Sequence, residues 1–295
     1  MKVSVTALYF FEYPLEDIFK TFSTLEFKSM EFHLELYQVW FSKQKISDIA
    51  RQVKELSESY NIELQLHAPY LDINLLSYNP HIRTVSEKQI LDALDFASMA
   101  DIDVVTVHLG TFPFGLSINK SSSDTDFLHK IFSSAIESLK RIHKKAKNLD
   151  INVGFENLHS APGKFPKTIE EFDLIFEQIP DAKVTFDLAH AYTISKENAN
   201  ALLEGLHNRI VNIHVSDVDP KTNAHHIGIG EGKVDFIEFF KLLKKYNIDC
   251  PIVMELDAIK LCKARIDDRE YRLKRLAESK EKLLEFAKRA STNLL

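Results

Sequence analysis

Six side chains that can bind a metal ion follow short apolar runs of this 295-residue chain, each at or next to the last residue of its run. They are His67, His108, Glu156, Asp187, His214 and Glu255. Imidazole and carboxylate groups are common protein ligands of divalent cations. One polar residue at the end of an apolar run is usually structural, but six packed together without a cation would cost free energy. The pattern therefore predicts a metal centre.

The apolar runs alternate with longer amphipathic segments along the whole chain, which is typical of β/α units. We predict strands over residues 3–9, 32–37, 62–67, 104–108, 151–156, 183–187, 210–214 and 251–255. We predict helices over residues 47–59, 86–100, 126–147, 168–178, 196–206, 236–246 and 267–289, with Ser47 and Thr168 as N-caps.

Eight β/α units without a low-complexity linker predict one α/β domain over residues 1–295, folded as a (β/α)8 barrel. An open doubly wound sheet is the alternative, but the first strand lacks the glycine-rich turn that nucleotide sites of that fold use. In a barrel the carboxyl ends of all strands face one mouth, so the six side chains would converge there. His190, His225 and His226 would lie at the rim.

The composition limits the possible partners. The chain has 37 Lys and Arg against 43 Asp and Glu, a net charge of −6, which argues against a general polyanion binder. A basic surplus over residues 260–295 fits an outer helix. Two cysteines form no disulfide framework or zinc ribbon. No apolar run approaches the about 18 residues of a membrane span, and residues 3–9 favour a strand over a signal peptide. We expect a cytoplasmic protein, and its oligomeric state does not follow from the sequence.

Several fragments between residues 60 and 257 together resemble the xylose isomerase-like TIM-barrel superfamily, which holds endonuclease IV and many sugar or sugar-phosphate isomerases and epimerases. The fragments are HAPY at residues 67–70, VHLG at 107–110, FEN at 155–157, FDLAH at 186–190, HVSD at 214–217, His226 with GEG at 230–232, and MEL at 254–256.

The resemblance implies a ligand set for one to three metal ions. In the isomerase members one divalent metal would be held by Glu156, Asp187, His214 and Glu255. In endonuclease IV, His67, His108 and Glu156 would hold a further zinc ion. A third zinc ion would need His190, His226 and an Asp at position 224, where this chain has Ala224, next to Asn223. The resemblance thus implies one or two ions of Zn, Mn, Co or Mg.

Two enzymatic functions follow from this resemblance. The favoured one is a metal-dependent isomerase or epimerase of a small sugar, sugar phosphate or related hydroxycarbonyl compound. Glu156 and Glu255 would transfer protons at carbon, and His190 would contact a substrate oxygen. The alternative is an endonuclease IV-like, zinc-dependent phosphodiesterase acting at abasic sites in DNA. The missing carboxylate and the acidic body of the chain weigh against a nucleic-acid partner. A barrel that merely binds a metal or ligand is a third interpretation.

Overall fold

The computed structural model describes residues 2–118 and 126–292. The strands are β1 (Lys2–Val5), β2 (Ser29–His33), β3 (Glu63–His67), β4 (Val104–Val107), β5 (Asn152–Glu156), β6 (Lys183–Asp187), β7 (Ile210–Val215) and β8 (Pro251–Met254). The helices are α1 (Leu15–Thr24), α2 (Tyr37–Trp40), α3 (Ile46–Tyr60), α4 (Pro80–Ala100), α5 (Asp126–Asn148), α6 (Ile169–Phe176), α7 (Leu188–Ile194), α8 (Lys196–Leu206), α9 (Phe236–Lys245), α10 (Ala258–Cys262) and α11 (Arg269–Thr292).

The eight strands form one parallel sheet in the order β1-β8-β7-β6-β5-β4-β3-β2. An isolated parallel bridge between Thr6 and Glu31 joins the two edges, so the sheet is a nearly closed barrel. The predicted (β/α)8 barrel is confirmed. Each strand is followed by at least one helix, and the helices pack on the outer face of the sheet. Phe32 of β2, for example, stacks on Phe96 of α4 with ring centroids 5.6 Å apart.

Two predicted strands lie elsewhere than expected. β1 ends at Val5 because Ala7–Phe10 forms a 3-10 turn, capped by the Thr6 hydroxyl, which accepts from the Leu8 N–H at 3.2 Å. β2 covers Ser29–His33 rather than residues 32–37, in parallel register with β3. The shift matters for the site, because it places Glu31 on the barrel strand rather than before it and makes His33 the last residue of the strand.

The predicted helix starts are partly corrected. α3 begins at Ile46, one residue before the predicted cap Ser47, and its N-cap Lys45 makes no side-chain capping bond. Thr168 is the N-cap of α6, as predicted, yet its hydroxyl does not cap the helix. Glu171 reaches back instead and accepts from the Lys167 N–H at 2.5 Å. Within residues 2–118 and 126–292, no helix is both long and apolar enough to cross a membrane.

The barrel interior below the mouth is polar and tightly hydrogen-bonded. Ser4 donates to Gln65 Oε1 at 2.8 Å, and the hydroxyls of Thr106 and Thr185 lie 2.9 Å apart. Gly154 of β5 lies against this layer, where a Cβ would collide with the Thr185 hydroxyl and lie 2.7 Å from its backbone nitrogen. The absence of a side chain at residue 154 therefore lets β5 and β6 approach each other below the site.

We expect Gly154→Ala to lower the free energy of unfolding by about 1–3 kcal/mol, because the collision involves backbone that cannot move aside cheaply. Urea denaturation measures this change. Gly205→Ala in α8 is the matched control: its Cβ would meet the flexible end of the Ile169 side chain, and alanine is favoured in helices by about 0.5–1 kcal/mol. Equal stability of the two variants would contradict the expectation.

Candidate metal centre

Four consecutive strands bring carboxylate and imidazole donors to one point at the mouth. Glu156 ends β5, Asp187 ends β6, His214 is the penultimate residue of β7, and Glu255 directly follows β8. One donor atom from each of these four residues lies within 4.8 Å of the others. His214 Nδ1 is 3.4 Å from Glu156 Oε1 and 3.1 Å from Glu255 Oε2. The side chains that the sequence analysis singled out on these strands therefore meet.

The donor atoms themselves fit a cation. Within the described part of the chain no hydrogen bond reaches Glu156 Oε1, Asp187 Oδ2, His214 Nδ1 or Glu255 Oε2, although all four atoms are buried. Buried polar atoms normally have partners, and three carboxylates in one place repel each other. A divalent cation coordinated by these atoms would satisfy them and offset the repulsion.

A second group of donors shares Glu156 with the first. His67 ends β3 and His108 directly follows β4, and their ring nitrogens face the other oxygen of the same carboxylate. His108 Nε2 lies 2.7 Å and His67 Nε2 3.4 Å from Glu156 Oε2. The Glu156 carboxylate is therefore placed to bridge two neighbouring cations. All six predicted strand-end residues belong to one or other of these groups.

The rim histidines form a further group, with a membership that the sequence analysis did not foresee. His190 lies with His159 and His225, and one ring nitrogen from each lies within 4.8 Å of the others. His226 is directed toward β8 instead, with its Nδ1 at 3.0 Å from the Glu255 carbonyl oxygen. Ala224 has no donor atom, so the carboxylate that the resemblance required at that position is absent.

Hydrogen bonds behind the ligands orient them. His214 Nε2 donates to Glu31 Oε1 at 3.0 Å, which directs Nδ1 of the same ring toward the carboxylates. Glu31 is fully buried and also accepts from the Asn212 amide at 2.8 Å. Asn157 and Asp187 exchange two 2.8 Å hydrogen bonds between backbone and side chain, which holds the ends of β5 and β6 together.

Glu31, His33 and His159 are residues that the sequence analysis missed. His33 stacks on His67 with centroids 4.7 Å apart, and its Nε2 lies 2.9 Å from the Thr6 hydroxyl. The signal for β2 was present, because the run from Met30 to His33 alternates apolar and polar residues and ends on a histidine like the other runs. Placing β2 three residues too late hid it. His159 lies in a loop, where no periodicity marks it.

The pKa values of the site show how strongly it favours positive charge. Burial alone raises the pKa of Glu156, but the charges of His108 and His214 hold that pKa well below its ordinary value. Burial lowers the pKa of His67, yet the Glu156 hydrogen bond and the charge of Glu31 outweigh it and raise the value to about 9. Burial, reinforced by Glu255 and Glu156, raises the pKa of Asp187 to about 8. Without a cation, Asp187 therefore holds a proton at neutral pH, whereas Glu156 stays ionised beside the imidazoles.

The rim histidines behave in the opposite way. Burial lowers the pKa of His159 to about 3, and the charge of His190 adds to this effect. Burial, with the charges of His226 and His190, lowers the pKa of His225 to about 2. Both rings are therefore neutral at neutral pH, with a lone pair on one nitrogen.

A cavity of about 330 Å³ opens above these groups at the carboxyl-terminal mouth of the barrel. Glu255 reaches it with 16% of its side chain exposed, whereas Glu156 is completely covered. Polar residues of the wall are His108, His159, Lys164, His190, His226 and Glu255. Leu8, Phe11 and Ile73 supply part of its apolar surface.

A parallel (β/α)8 barrel with histidines and carboxylates gathered at its carboxyl-terminal mouth defines a barrel protein with a candidate divalent-metal centre. The model of the xylose isomerase-like TIM barrel family matches residues 19–281. The chain belongs to this family, as the sequence fragments indicated.

This chain is similar in sequence or in structure to proteins that are described as epimerase-like, as uncharacterized and as an endonuclease. A solved structure described as a D-tagatose 3-epimerase-like protein is 26% identical, with a TM-score of 0.78 and complete coverage of both chains. An uncharacterized protein of Methanocaldococcus jannaschii is 27% identical over 92% of this chain and 94% of its own length. A probable endonuclease 4 of Aquifex aeolicus is 24% identical over 82% of this chain and 90% of its own length. These likenesses support an enzyme of the superfamily.

We expect Glu31→Gln to weaken divalent-cation binding by about 10- to 100-fold, since the charged acceptor that orients the His214 ring is lost. Isothermal titration of the metal-free protein with Mn²⁺ or Zn²⁺ measures the affinity. Glu63→Gln on the neighbouring strand β3 is the matched control, because Glu63 is exposed and its carboxylate pairs with Lys2. Unchanged affinity in Glu31→Gln would show that Glu31 does not orient a ligand.

Proposed function

We propose that this protein is a divalent-metal-dependent epimerase or isomerase that moves a proton at the carbon next to the carbonyl of a small sugar, sugar phosphate or related hydroxycarbonyl compound. The observation that carries the proposal is the pair Glu156 and Glu255. These glutamates come from strands three places apart in the barrel and present donor oxygens in one group, and Glu255 lines the cavity. The likeness to the D-tagatose 3-epimerase-like structure supports it.

The residues that would hold the metal are Glu156, Asp187, His214 and Glu255, with His67 and His108 available for a second ion beside Glu156. When bound, a divalent cation lowers the pKa of the C–H bond beside a substrate carbonyl and stabilises the negative charge that follows proton removal. The carboxylate-rich first group suits Mn²⁺, Co²⁺ or Mg²⁺, and the histidine-rich second group suits Zn²⁺.

Proton transfer would fall to the two glutamates. Burial raises the pKa of Glu255, but the charges of His226 and His214 hold it well below its ordinary value, so this carboxylate is available as a base. Glu255 would remove the proton from one face of the carbon. Glu156 would return to the other face a proton taken from the His67 ring, whose pKa is raised to about 9 and whose Nε2 lies 3.4 Å from Glu156 Oε2. His190, in the cavity wall, would donate to a substrate oxygen.

The cavity supports a small substrate rather than a polymer. Its volume of about 330 Å³ lies at the lower end of the range of about 300–1,000 Å³ for small-molecule sites. The apolar side chains Leu8, Phe11 and Ile73 help to exclude water beside the polar wall. Exclusion of water strengthens the charge interactions on which proton abstraction from carbon depends.

We expect Glu156→Gln and Glu255→Gln each to slow exchange of the substrate C–H with solvent deuterium by at least about 100-fold, because an amide cannot accept or return the proton. The measurement is NMR of D-tagatose, other ketoses and ketose phosphates incubated with the Mn²⁺- or Co²⁺-loaded protein in D2O, with the paramagnetic ion removed before spectra are recorded.

The metal content of each variant is measured alongside exchange, which separates loss of the base from loss of the ion. Glu63→Gln serves as the surface control and keeps the wild-type rate. Wild-type exchange rates in both site variants would remove Glu156 and Glu255 from the mechanism. Absence of exchange in the wild-type protein with every ketose and ketose phosphate would contradict the function itself.

The second candidate function is metal-dependent cleavage of abasic DNA. It is favoured by the group formed by His67, His108 and Glu156, which adds a second ion next to the first, and by the likeness to a probable endonuclease 4. Two adjacent ions can stabilise both oxygens of a phosphodiester displacement. Multiple-turnover cleavage of a duplex with one abasic site, lost in His108→Ala and absent from an intact duplex, would favour this function over epimerisation.

A further inference from the structure

Three imidazoles from separate loops meet at the rim of the mouth. His159 follows β5, His190 lies on α7, and His225 lies in the loop between β7 and α9. Their ring centroids are 4.7 Å (His159 to His225), 5.0 Å (His190 to His225) and 5.3 Å (His159 to His190) apart. One ring nitrogen from each lies within 4.8 Å of the others, so the rings present donors to a common point.

The hydrogen bonds of these rings leave nitrogens available. His190 Nδ1 lies 3.0 Å from the Asn157 carbonyl oxygen and donates to it, which leaves Nε2 for another partner. Across residues 2–118 and 126–292, no side-chain hydrogen bond is made by the His159 or His225 ring. All three side chains line the cavity, so the point that they surround is accessible to an ion from solvent.

This donor set differs from the one that the resemblance implied for a third ion. The Asn223 amide is engaged elsewhere: it donates to the Thr193 carbonyl oxygen at 2.8 Å, and its oxygen accepts from Lys233 at 3.0 Å. His226 Nδ1 lies against the Glu255 carbonyl oxygen. The chain thus lacks the carboxylate. The His226 ring lies 5.2 Å from that of His190 but is not among the ring nitrogens that meet, whereas His159 and His225 complete a different set around His190.

We propose that His159, His190 and His225 form a separate divalent-metal site, selective for late first-row ions such as Zn²⁺ or Co²⁺. His159 and His225 are neutral imidazoles. Burial lowers the pKa of His190, but the charge of Asp187 and the Glu156 hydrogen bond raise it to about 9, so this ring would release a proton when an ion binds. Three imidazole nitrogens favour these ions over Mg²⁺ and Mn²⁺, which prefer oxygen. Three protein ligands with a fourth position open to a cavity are also the arrangement of exchangeable rather than structural zinc sites. None of its ligands belongs to the two groups that share Glu156, although His190 is also the residue that the proposed function places at a substrate oxygen.

The surrounding charges define what the open position would take. Glu156 Oε1 and Asp187 Oδ2 lie 3.3 Å and 3.4 Å from His190 Nδ1 and favour a cation nearby. Lys164 lines the same cavity, and Lys260 donates to the His225 carbonyl oxygen at 3.0 Å. The two lysines repel a cation that has no anionic partner, but together with a bound cation they would attract a negatively charged ligand group. The fourth position therefore suits an anionic oxygen, such as that of a phosphate or carboxylate.

The test is the number of ions that the full-length protein holds. Metal-free wild type, His159→Gln and His225→Gln are each equilibrated with Zn²⁺ or with Mn²⁺, freed of unbound ion, and measured by plasma emission spectroscopy. We expect each variant to hold one equivalent of Zn²⁺ less than wild type and the same amount of Mn²⁺. When the same proteins are loaded with Co²⁺ instead of Zn²⁺, His159→Gln and His225→Gln should absorb less visible light than wild type.

Two controls make the count specific. His207→Gln, at the opposite end of the barrel before β7, should keep every zinc equivalent. His226→Gln should also keep them, whereas the set implied by the resemblance requires a loss. Circular dichroism confirms that each variant is folded. The proposal is overturned if His159→Gln and His225→Gln bind as much zinc as wild type. If His226→Gln loses one equivalent of zinc while those two variants keep it, the third ion binds instead at the set that the resemblance implies. Deuterium exchange at carbon tests the proposed function separately.

Discussion

The carboxylate of Glu156 is the group on which the rest of the mouth depends. It is completely buried at the end of β5, and a buried carboxylate is costly unless opposite charge and hydrogen-bond donors surround it. One of its oxygens faces His67 and His108, and the other faces His190 and His214. These imidazoles come from β3, β7, α7 and the loop that follows β4, so the charge of one side chain ties together elements on several sides of the barrel.

A polar interior supports this arrangement from below. Glu31 orients His214, Asn212 and Thr106 donate to Glu31, and Thr106 lies against Thr185. Burial alone raises the pKa of Glu31, but the charge of His214 and its hydrogen bond keep this carboxyl ionised, with a pKa well below its ordinary value. The layer below the mouth therefore sets the orientation of a ligand as well as filling the barrel, and the strands are held at the spacing that the site needs.

The mouth contains two electrostatic environments a few ångströms apart. Around Glu156, Asp187 and Glu255 the carboxylates outweigh burial and raise the pKa of His67, His190 and His214, whereas at the rim burial keeps His159 and His225 neutral. A carboxylate-rich group attracts hard cations and supplies bases, while neutral imidazoles suit softer ions. His190 stands between them, with its Nδ1 3.3 Å from Glu156 Oε1 and its ring centroid 5.0 Å from that of His225.

The sequence by itself determined the barrel and the six strand-end side chains that meet at its mouth, because apolar periodicity and the position of a residue at a strand's end are local properties. It placed β2 three residues too late and missed Glu31 and His33, because both candidate runs alternate apolar and polar residues and the parallel register with β3 is a contact between distant segments. Tertiary structure alone decided that ring nitrogens of His159 and His225 meet a nitrogen of His190, whereas His226, whose ring also lies 5.2 Å from that of His190, places its Nδ1 against the Glu255 carbonyl oxygen. Loop conformation depends on long-range packing, and spacing along the chain carries no record of which of two adjacent histidines turns toward the site.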